Sequence, residues 1–166
     1  TRFYVINADG SGAPLQVDER TGSNGVNSPE VDISADGSRL ITVGNQSDYW
    51  IVRAVNADGS NLHPVITLGR YLGFRLSGDG SQVFFLNPED FDLNSQHYKA
   101  GLYAVSVDNP AQVRKIVDRD AMAQLYGVAS DGVRPVGTAF GASRDSGRFV
   151  FAASIPDHGV RVLLVN

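Results

Sequence analysis

The stretch SADGSRLITV, residues 34–43, decides the fold because its pattern returns as SGDGSQVFFL at residues 77–86. A third, altered copy, SRDSGRFVF, occupies residues 143–151. A second block, NADGS, stands at residues 7–11 and again at residues 56–60, each time after an apolar run. The sequence is therefore organised as a repeat, and the repeat predicts architecture before it predicts any activity.

The spacing of the blocks indicates the size of the repeating unit. The first two Ser-x-Asp copies lie 43 residues apart and the two Asn-Ala-Asp copies lie 49 apart. This period suits one four-stranded blade of a β-propeller. The third Ser-x-Asp copy follows the second by 66 residues, so about 20 residues are inserted before it.

The residues around each Asp-Gly pair predict antiparallel strands. Short runs rich in β-branched and aromatic residues flank these pairs, as expected for hairpins. We expect two-residue type I′ turns, which place both central residues at positive φ. The chain is therefore predicted to be all-β. We expect one short helix between Asp118 and Gly137, with Asp120 as N-cap and Gly127 ending it in the left-handed conformation.

Composition restricts the classes of partner. The 166 residues are 42% hydrophobic, enough for one domain with a core, and carry a net charge of −4. Only two lysines occur and no basic run exists, which argues against a nucleic-acid partner. No apolar stretch approaches the ~20 residues of a membrane span. The lack of cysteine suits a reducing or an oxidising compartment, so composition leaves the cytoplasm open.

The order of these elements resembles the TolB-type β-propeller repeat, a relative of the WD-repeat blade. An apolar strand, Ser-x-Asp-Gly-Ser, two more apolar strands, Asn-Ala-Asp-Gly-Ser and a short last strand follow one another. The resemblance implies a periplasmic or extracellular protein. Similar blades occur in periplasmic transport-associated proteins, in the propellers of prolyl-oligopeptidase-like peptidases and in polysaccharide lyases, so the resemblance leaves the activity open.

The repeat divides the chain into about three blades of four antiparallel strands. We expect the end of one blade at residues 1–18, blades at 30–68 and 72–117, an inserted loop or short helix at 118–137, and a three-stranded blade at 138–166. Closed propellers have ~4 to 8 blades, so two edges would stay open. Either the rest of a longer chain or self-association would complete the ring. Pairing the two ends would give five strands where four are expected, which favours a piece of a longer propeller, as does the start at Thr1.

The blade topology predicts two different faces. The short-turn face carries the turns at Asp9, Asp36, Asp58, Asp79 and Asp145. The long-loop face carries the other connections: residues 19–29, 45–48, 69–71, 87–100, 118–137 and 155–159. Variable loops on a rigid scaffold usually hold the binding groups, so the long-loop face is the candidate site.

Six residues with planar or charged side chains are the candidate binding residues of this face. They are Trp50, Asp92, His97, Tyr98, Tyr126 and Arg134. Packing between blades is the favoured interpretation for Trp50, and a structural plug that covers the ring mouth is the favoured interpretation for residues 118–137. The acidic residues and His97 of the loop after Asn87 could hold a divalent cation, but a solvated loop is the favoured alternative.

The motifs of common catalytic sites are missing from the sequence. It contains no Gly-x-Ser-x-Gly elbow, no Walker loop and no His-Glu-x-x-His pair. We therefore expect no catalytic residue, metal or cofactor, and predict a non-catalytic scaffold. It would bind a protein or peptide on the long-loop face, in the bacterial envelope as the resemblance implies. The alternative is the propeller part of an enzyme, either a peptidase gate or a polysaccharide lyase using His97 and the carboxylates at residues 90–92.

Overall fold

The computed structural model describes residues 2–7, 9–19, 30–46, 49–70, 72–93, 96–143, 145 and 147–166. These ranges contain fifteen strands and one α-helix. The all-β prediction is confirmed, and the strands form antiparallel sheets of the propeller-blade type. Residues 20–29, 47–48, 71 and 94–95 of the predicted long-loop connections lie outside the described residues.

The strands form four successive sheets and one inserted hairpin. The first sheet pairs β1 (Arg2–Val5) with β2 (Leu15–Glu19). The second has the order β3 (Glu30–Ile33), β4 (Arg39–Gln46), β5 (Tyr49–Asn56), β6 (His63–Leu68). The third has the order β7 (Gly73–Leu76), β8 (Gln82–Asn87), β11 (Gly101–Ser106), β12 (Val113–Asp118). The fourth has the order β13 (Arg134–Ala142), β14 (Phe149–Ile155), β15 (Gly159–Val165). The hairpin, β9 (Phe91–Leu93) and β10 (Gln96–Tyr98), lies between β8 and β11.

The sheets stack face to face through three apolar cores. Strand β8 shows why, since all four residues of its apolar run, Val83–Leu86, are buried. Val83 and Phe85 pack in the core shared with the second sheet, and Phe84 and Leu86 pack in the core shared with the fourth. A strand covered on both faces has no polar side, so its sequence is a continuous apolar run. A third, smaller core joins the first sheet to the second.

The Asp-Gly turns are longer than the sequence suggested. Ser34 N donates to Arg39 O at 2.9 Å, which leaves a four-residue loop rather than a two-residue turn. Gly37 lies in the left-handed region at φ 73°, but Asp36 does not. The type I′ prediction is therefore wrong, because Asp36 serves as a hydrogen-bond acceptor rather than as a left-handed residue.

The Asp36 carboxylate explains why the motif has a serine on each side. Oδ1 accepts from Ser34 Oγ at 2.7 Å, from Ser38 N at 3.0 Å and from Ser38 Oγ at 2.8 Å. These bonds lower the pKa of Asp36 to about 2, the Ser34 hydroxyl contributing most. Asp79 repeats the arrangement with Ser77 and Ser81. The repeat thus specifies a rigid turn.

A buried polar group also joins the first sheet to the second. The Asp18 side chain is fully buried, and Oδ2 accepts from Thr42 Oγ1 at 2.7 Å. Its Oδ1 meets Arg53 Nη1 at 3.1 Å. An ion pair of this kind fixes the position of one sheet on the next, since either charge alone would be costly to bury.

Helix α1 (Arg119–Tyr126) follows β12 directly. Its N-cap is Asp118, whose Oδ1 accepts from Ala121 N at 3.1 Å, so the prediction of Asp120 as N-cap is wrong. Gly127 ends the helix at φ 65°, as predicted. With eight residues the helix makes slightly more than two turns. Within the described ranges no helix has the length and apolar character needed to span a membrane.

Candidate functional site

The loop after Asn87 contains two short paired strands, β9 and β10, and residues 94 and 95 between them lie outside the described residues. Asp92 pairs with His97 and Phe91 pairs with Tyr98 across its two strands. The rings of Phe91 and Tyr98 stack at 5.0 Å with an interplanar angle of 14°. Both rings meet Tyr103 edge-on, at 5.3 Å and 5.4 Å. These aromatic contacts attach the hairpin to the core between the second and third sheets.

Asp90 connects the base of this hairpin to helix α1. Its Oδ1 accepts from Ala100 N at 2.9 Å, and its Oδ2 pairs with Arg119 Nη2 at 2.9 Å. A second ion pair, between Lys99 and Asp120, joins the same two segments. The hairpin and the helix are therefore held together as one projecting unit, although they lie far apart in sequence.

His97 and Asp92 form the exposed part of the hairpin. His97 Nδ1 lies 2.8 Å from Asp92 Oδ1, and His97 Nε2 lies 3.6 Å from Asp90 Oδ2. The side chain of His97 is 61% exposed and that of Asp92 is 79% exposed. Glu89 Oε1 lies 3.6 Å from Arg70 Nε. Each of the three carboxylates therefore has a basic side chain nearby, and the described residues contain no group of three or more acidic and histidine side chains that could hold a metal ion.

The groups around the start of helix α1 have shifted pKa values. Burial disfavours the phenolate form of Tyr103 and so raises its pKa. The negative charges of Asp118 and Asp90 raise this pKa further. Desolvation pushes the pKa of Asp118 upwards, but the hydrogen bonds from Lys115 and Ala121 N outweigh it and lower that pKa. The Lys99 ammonium lowers the pKa of Asp120. The two aspartates stay ionised at the helix start, where the helix dipole also favours negative charge.

Tyr126 and Arg134 belong to a second part of the long-loop face. The Tyr126 ring lies 5.3 Å from the His158 ring, which is in the turn between β14 and β15. Arg134 starts strand β13 opposite Ser154 and is exposed. Sequence reasoning placed the start of this strand at Thr138, four residues late.

The remaining candidate, Trp50, packs against the core between the second and third sheets and is partly buried. This agrees with the packing interpretation of the residue. The apolar side chains of helix α1 are divided between buried and exposed positions. Met122 is buried in the core between the third and fourth sheets, whereas Leu125 is exposed.

Two large open grooves lie on the short-turn face instead of the long-loop face. One, of about 660 Å³, is lined by Arg39, Asp58, Asp79 and Asp108 among others. The other, of about 450 Å³, is lined by the turn around Asp79 and by Arg114. Asp58 and Asp79 accept hydrogen bonds from residues of their own turns. Arg39 donates to Asp108 Oδ2 and to Gly80 O, each at 3.1 Å. These grooves are gaps between turns whose polar groups already have partners, so we do not assign the site to them.

Sequence reasoning included Asp92, His97 and Tyr98 but missed the groups that position them. In the sequence Asp90 is one acid among several, and no pattern links it to Arg119, Lys99 or Asp120. The alternation of Phe91 and Leu93 is a strand signal that could have revealed the hairpin. No local pattern could have revealed the ion pairs, because their partners are 21 and 29 residues apart in the chain.

No protein-family model and no curated protein matches this chain. Among solved structures it matches TolB from Acinetobacter baumannii with a TM-score of 0.60 and 13% identity, covering 98% of this chain and 34% of that one. It matches a candidate TolB protein from Agrobacterium tumefaciens with a TM-score of 0.56 and 18% identity, covering 97% and 51%. It also matches an oligogalacturonate lyase in complex with manganese, with a TM-score of 0.58 and 15% identity, covering 98% and 40%.

These matches establish the fold. The arrangement of sheets is that of TolB-like β-propellers, which confirms the resemblance found in the repeat. The chain spans between about a third and a half of the length of these proteins. At such low identities the matches carry no information on activity, because propellers of one fold serve unrelated functions.

Proposed function

We propose that this TolB-like propeller chain binds a protein or peptide partner on its long-loop face, as a non-catalytic scaffold of the bacterial envelope. The observation that carries the proposal is the attachment of the hairpin β9–β10 to helix α1 through Asp90 and Arg119. Two inserted elements, joined to each other and to the core, form a preorganised surface. Preorganisation lowers the entropic cost of binding.

The exposed groups of this surface suit a polypeptide. Asp92 and His97 offer hydrogen bonds at its rim, and Leu125 and Tyr126 offer apolar and aromatic contact on the helix. Interfaces with proteins commonly combine an aromatic centre with a polar rim. The envelope location rests on the TolB-like fold.

A displayed-peptide library tests this proposal. Random peptides on phage are selected against the chain, and the dissociation constants of the enriched peptides are measured by calorimetry. We expect Asp92→Ala and Leu125→Lys each to weaken binding by about tenfold or more, equivalent to ~1.4 kcal/mol.

Asp108→Asn is the matched control, because it removes one exposed charge on the short-turn face. We expect this variant to bind like the wild type. Peptides that bind all three variants equally, or that lose affinity only for Asp108→Asn, would assign the site to another surface.

A further inference from the structure

The sequence contains five Asp-Gly pairs, and one of them differs from the rest. Four are followed by serine and lie on the short-turn face, at Asp9, Asp36, Asp58 and Asp79. The fifth, Asp131-Gly132, is followed by Val133 and lies between helix α1 and strand β13, on the long-loop face. The first four pairs belong to the structural repeat, whereas the fifth lies in the insertion.

An Asp-Gly pair is open to isomerisation through a cyclic imide, because glycine has no side chain to hinder its nitrogen. The glycine nitrogen attacks Cγ of the neutral carboxyl group, so that an N–Cγ bond forms and the hydroxyl leaves as water with the nitrogen proton. Water then opens the imide. When it cleaves the bond between this nitrogen and the aspartate main-chain carbonyl carbon, the chain continues through Cγ as isoaspartate. The reaction needs no reagent other than water.

Both reacting groups are held in the four Asp-Gly-Ser turns. Side-chain hydrogen bonds from serines of the same turn lower the pKa of all four carboxyl groups, so the neutral acid that the reaction needs is scarce. Gly37 N donates to Ser34 O at 3.0 Å, and equivalent bonds of 2.9 Å are made by the nitrogens of Gly10, Gly59 and Gly80. An attack on Cγ would have to break these bonds first.

The turn at Asp131 holds its Asp-Gly pair one position earlier. It is closed by Val133 N, the residue after the glycine, which donates to Ser130 O at 3.1 Å. Among the residues that the structure describes, no hydrogen bond is found from Gly132 N or to the Asp131 carboxylate. Both Asp131 and Gly132 are exposed. The bonds that hold the reacting groups of the other four pairs are therefore not made by this pair within the described ranges.

We propose that Asp131 is a site of spontaneous isoaspartate formation, and that the hydrogen bonds of the four Asp-Gly-Ser turns protect them from the same reaction. The product has the same composition as the original chain, but it adds one atom to the main chain between Ser130 and Val133. Val133 is buried in the core between the third and fourth sheets. The modification therefore alters the segment that joins helix α1 to this core.

Tryptic mapping of the folded chain, after incubation near neutral pH at physiological temperature, tests the proposal. Cleavage after arginine and lysine places each Asp-Gly pair in its own peptide: residues 3–20, 21–39, 54–70, 76–99 and 120–144. Labelling with an isoaspartate-specific methyltransferase measures the product, and fragmentation locates it. We expect isoaspartate at Asp131 to form about tenfold or more faster than at the other four pairs, because each hydrogen bond to a charged group disfavours the open turn by at least that factor.

Two controls separate this reaction from others. Peptide 21–39 also contains Asn24-Gly25, whose deamidation changes the peptide mass, whereas isomerisation of aspartate leaves the mass unchanged. Asp131→Glu keeps the charge but has a longer side chain that does not cyclise readily, so it should abolish isoaspartate at this position.

The chain unfolded in guanidinium chloride is the reference, because the turns are lost in it. We expect the five pairs to isomerise there at similar rates. In the folded chain, Ser60→Ala removes the hydroxyl that donates to Asp58 Oδ1 at 2.6 Å and should raise the rate at Asp58. Equal rates at all five pairs of the folded chain would overturn the proposal. The same excess at Asp131 in the folded and the unfolded chain would also overturn it, since the difference would then come from the local sequence.

Discussion

Replacing Asp90 with alanine should loosen the hairpin and lower the free energy of unfolding. Asp90 accepts one hydrogen bond from Ala100 N and pairs with Arg119 Nη2, each at 2.9 Å. Hydrogen bonds to charged groups contribute ~1.5–3 kcal/mol each, and two bonds of one carboxylate are not additive. The Asp90 side chain is 24% exposed, so water replaces part of the loss. We therefore expect a destabilisation of about 2 kcal/mol.

Urea unfolding followed by fluorescence measures this loss. Trp50, the only tryptophan, packs against the same core as the hairpin and reports on the transition. With a urea m-value of about 2 kcal/mol/M, the midpoint should fall by about 1 M. Asp90→Asn keeps an acceptor for Ala100 N but loses the charge, so it should lie between the wild type and Asp90→Ala.

The matched control is Asp92→Ala, two residues along the same hairpin. Asp92 is highly exposed and bonds only His97 among the contacts described, so its loss should change stability by about 0.5 kcal/mol or less. Equal stability losses for Asp90→Ala and Asp92→Ala would refute the assignment of Asp90 as the link between hairpin and helix. An unchanged midpoint for Asp90→Ala would refute it as well.

Three further predictions concern the scaffold. Gly101→Ala would place a Cβ 2.7 Å from a backbone Cα of β12 and should cost about 1–3 kcal/mol in urea unfolding, whereas Gly69→Ala, with open space around it, should change little. Asp18→Ala leaves Arg53 without its carboxylate and should cost ~3 kcal/mol, near the lower end for broken buried pairs because Arg53 is partly exposed; a loss below ~1 kcal/mol would contradict the pairing. The pKa of Asp36 is lowered to about 2 in the folded state, so its ionised carboxylate adds stability that is present above pH 4 and is lost as the pH falls towards 2. Asp36→Asn should therefore lose less unfolding free energy over that pH interval than the wild type.

Much of the fold could be predicted from the repeat. The two blocks predicted the four-stranded pattern of the second and third sheets and the three-stranded fourth sheet. The turn type was predicted wrongly because the prediction used only the tolerance of Asp and Gly for positive φ. It did not take into account that the Asp36 carboxylate accepts hydrogen bonds from the hydroxyl groups of Ser34 and Ser38. Helix α1 was expected, but its N-cap was misplaced by two residues. Both Asp118 and Asp120 are chemically suitable caps, and the end of strand β12 decides between them.

The candidate site could be predicted only in part. His97, Asp92 and Tyr98 were recognisable as polar and aromatic residues of a long connection. Their placement on a hairpin depends on the stacking of Phe91 on Tyr98 and on the contacts of both with Tyr103. This packing depends on the position of strand β11, which carries Tyr103.

The sequence by itself determined the repeat, the alternation of apolar strands with Asp-Gly turns and hence the stacked antiparallel sheets, because these depend on neighbours within a few residues. Only the tertiary structure decided which carboxylate holds the hairpin to the helix. Asp90 pairs with Arg119 because the fold brings together two residues that are 29 positions apart in the chain. Local chemistry repeats from blade to blade, whereas the surroundings of each blade differ.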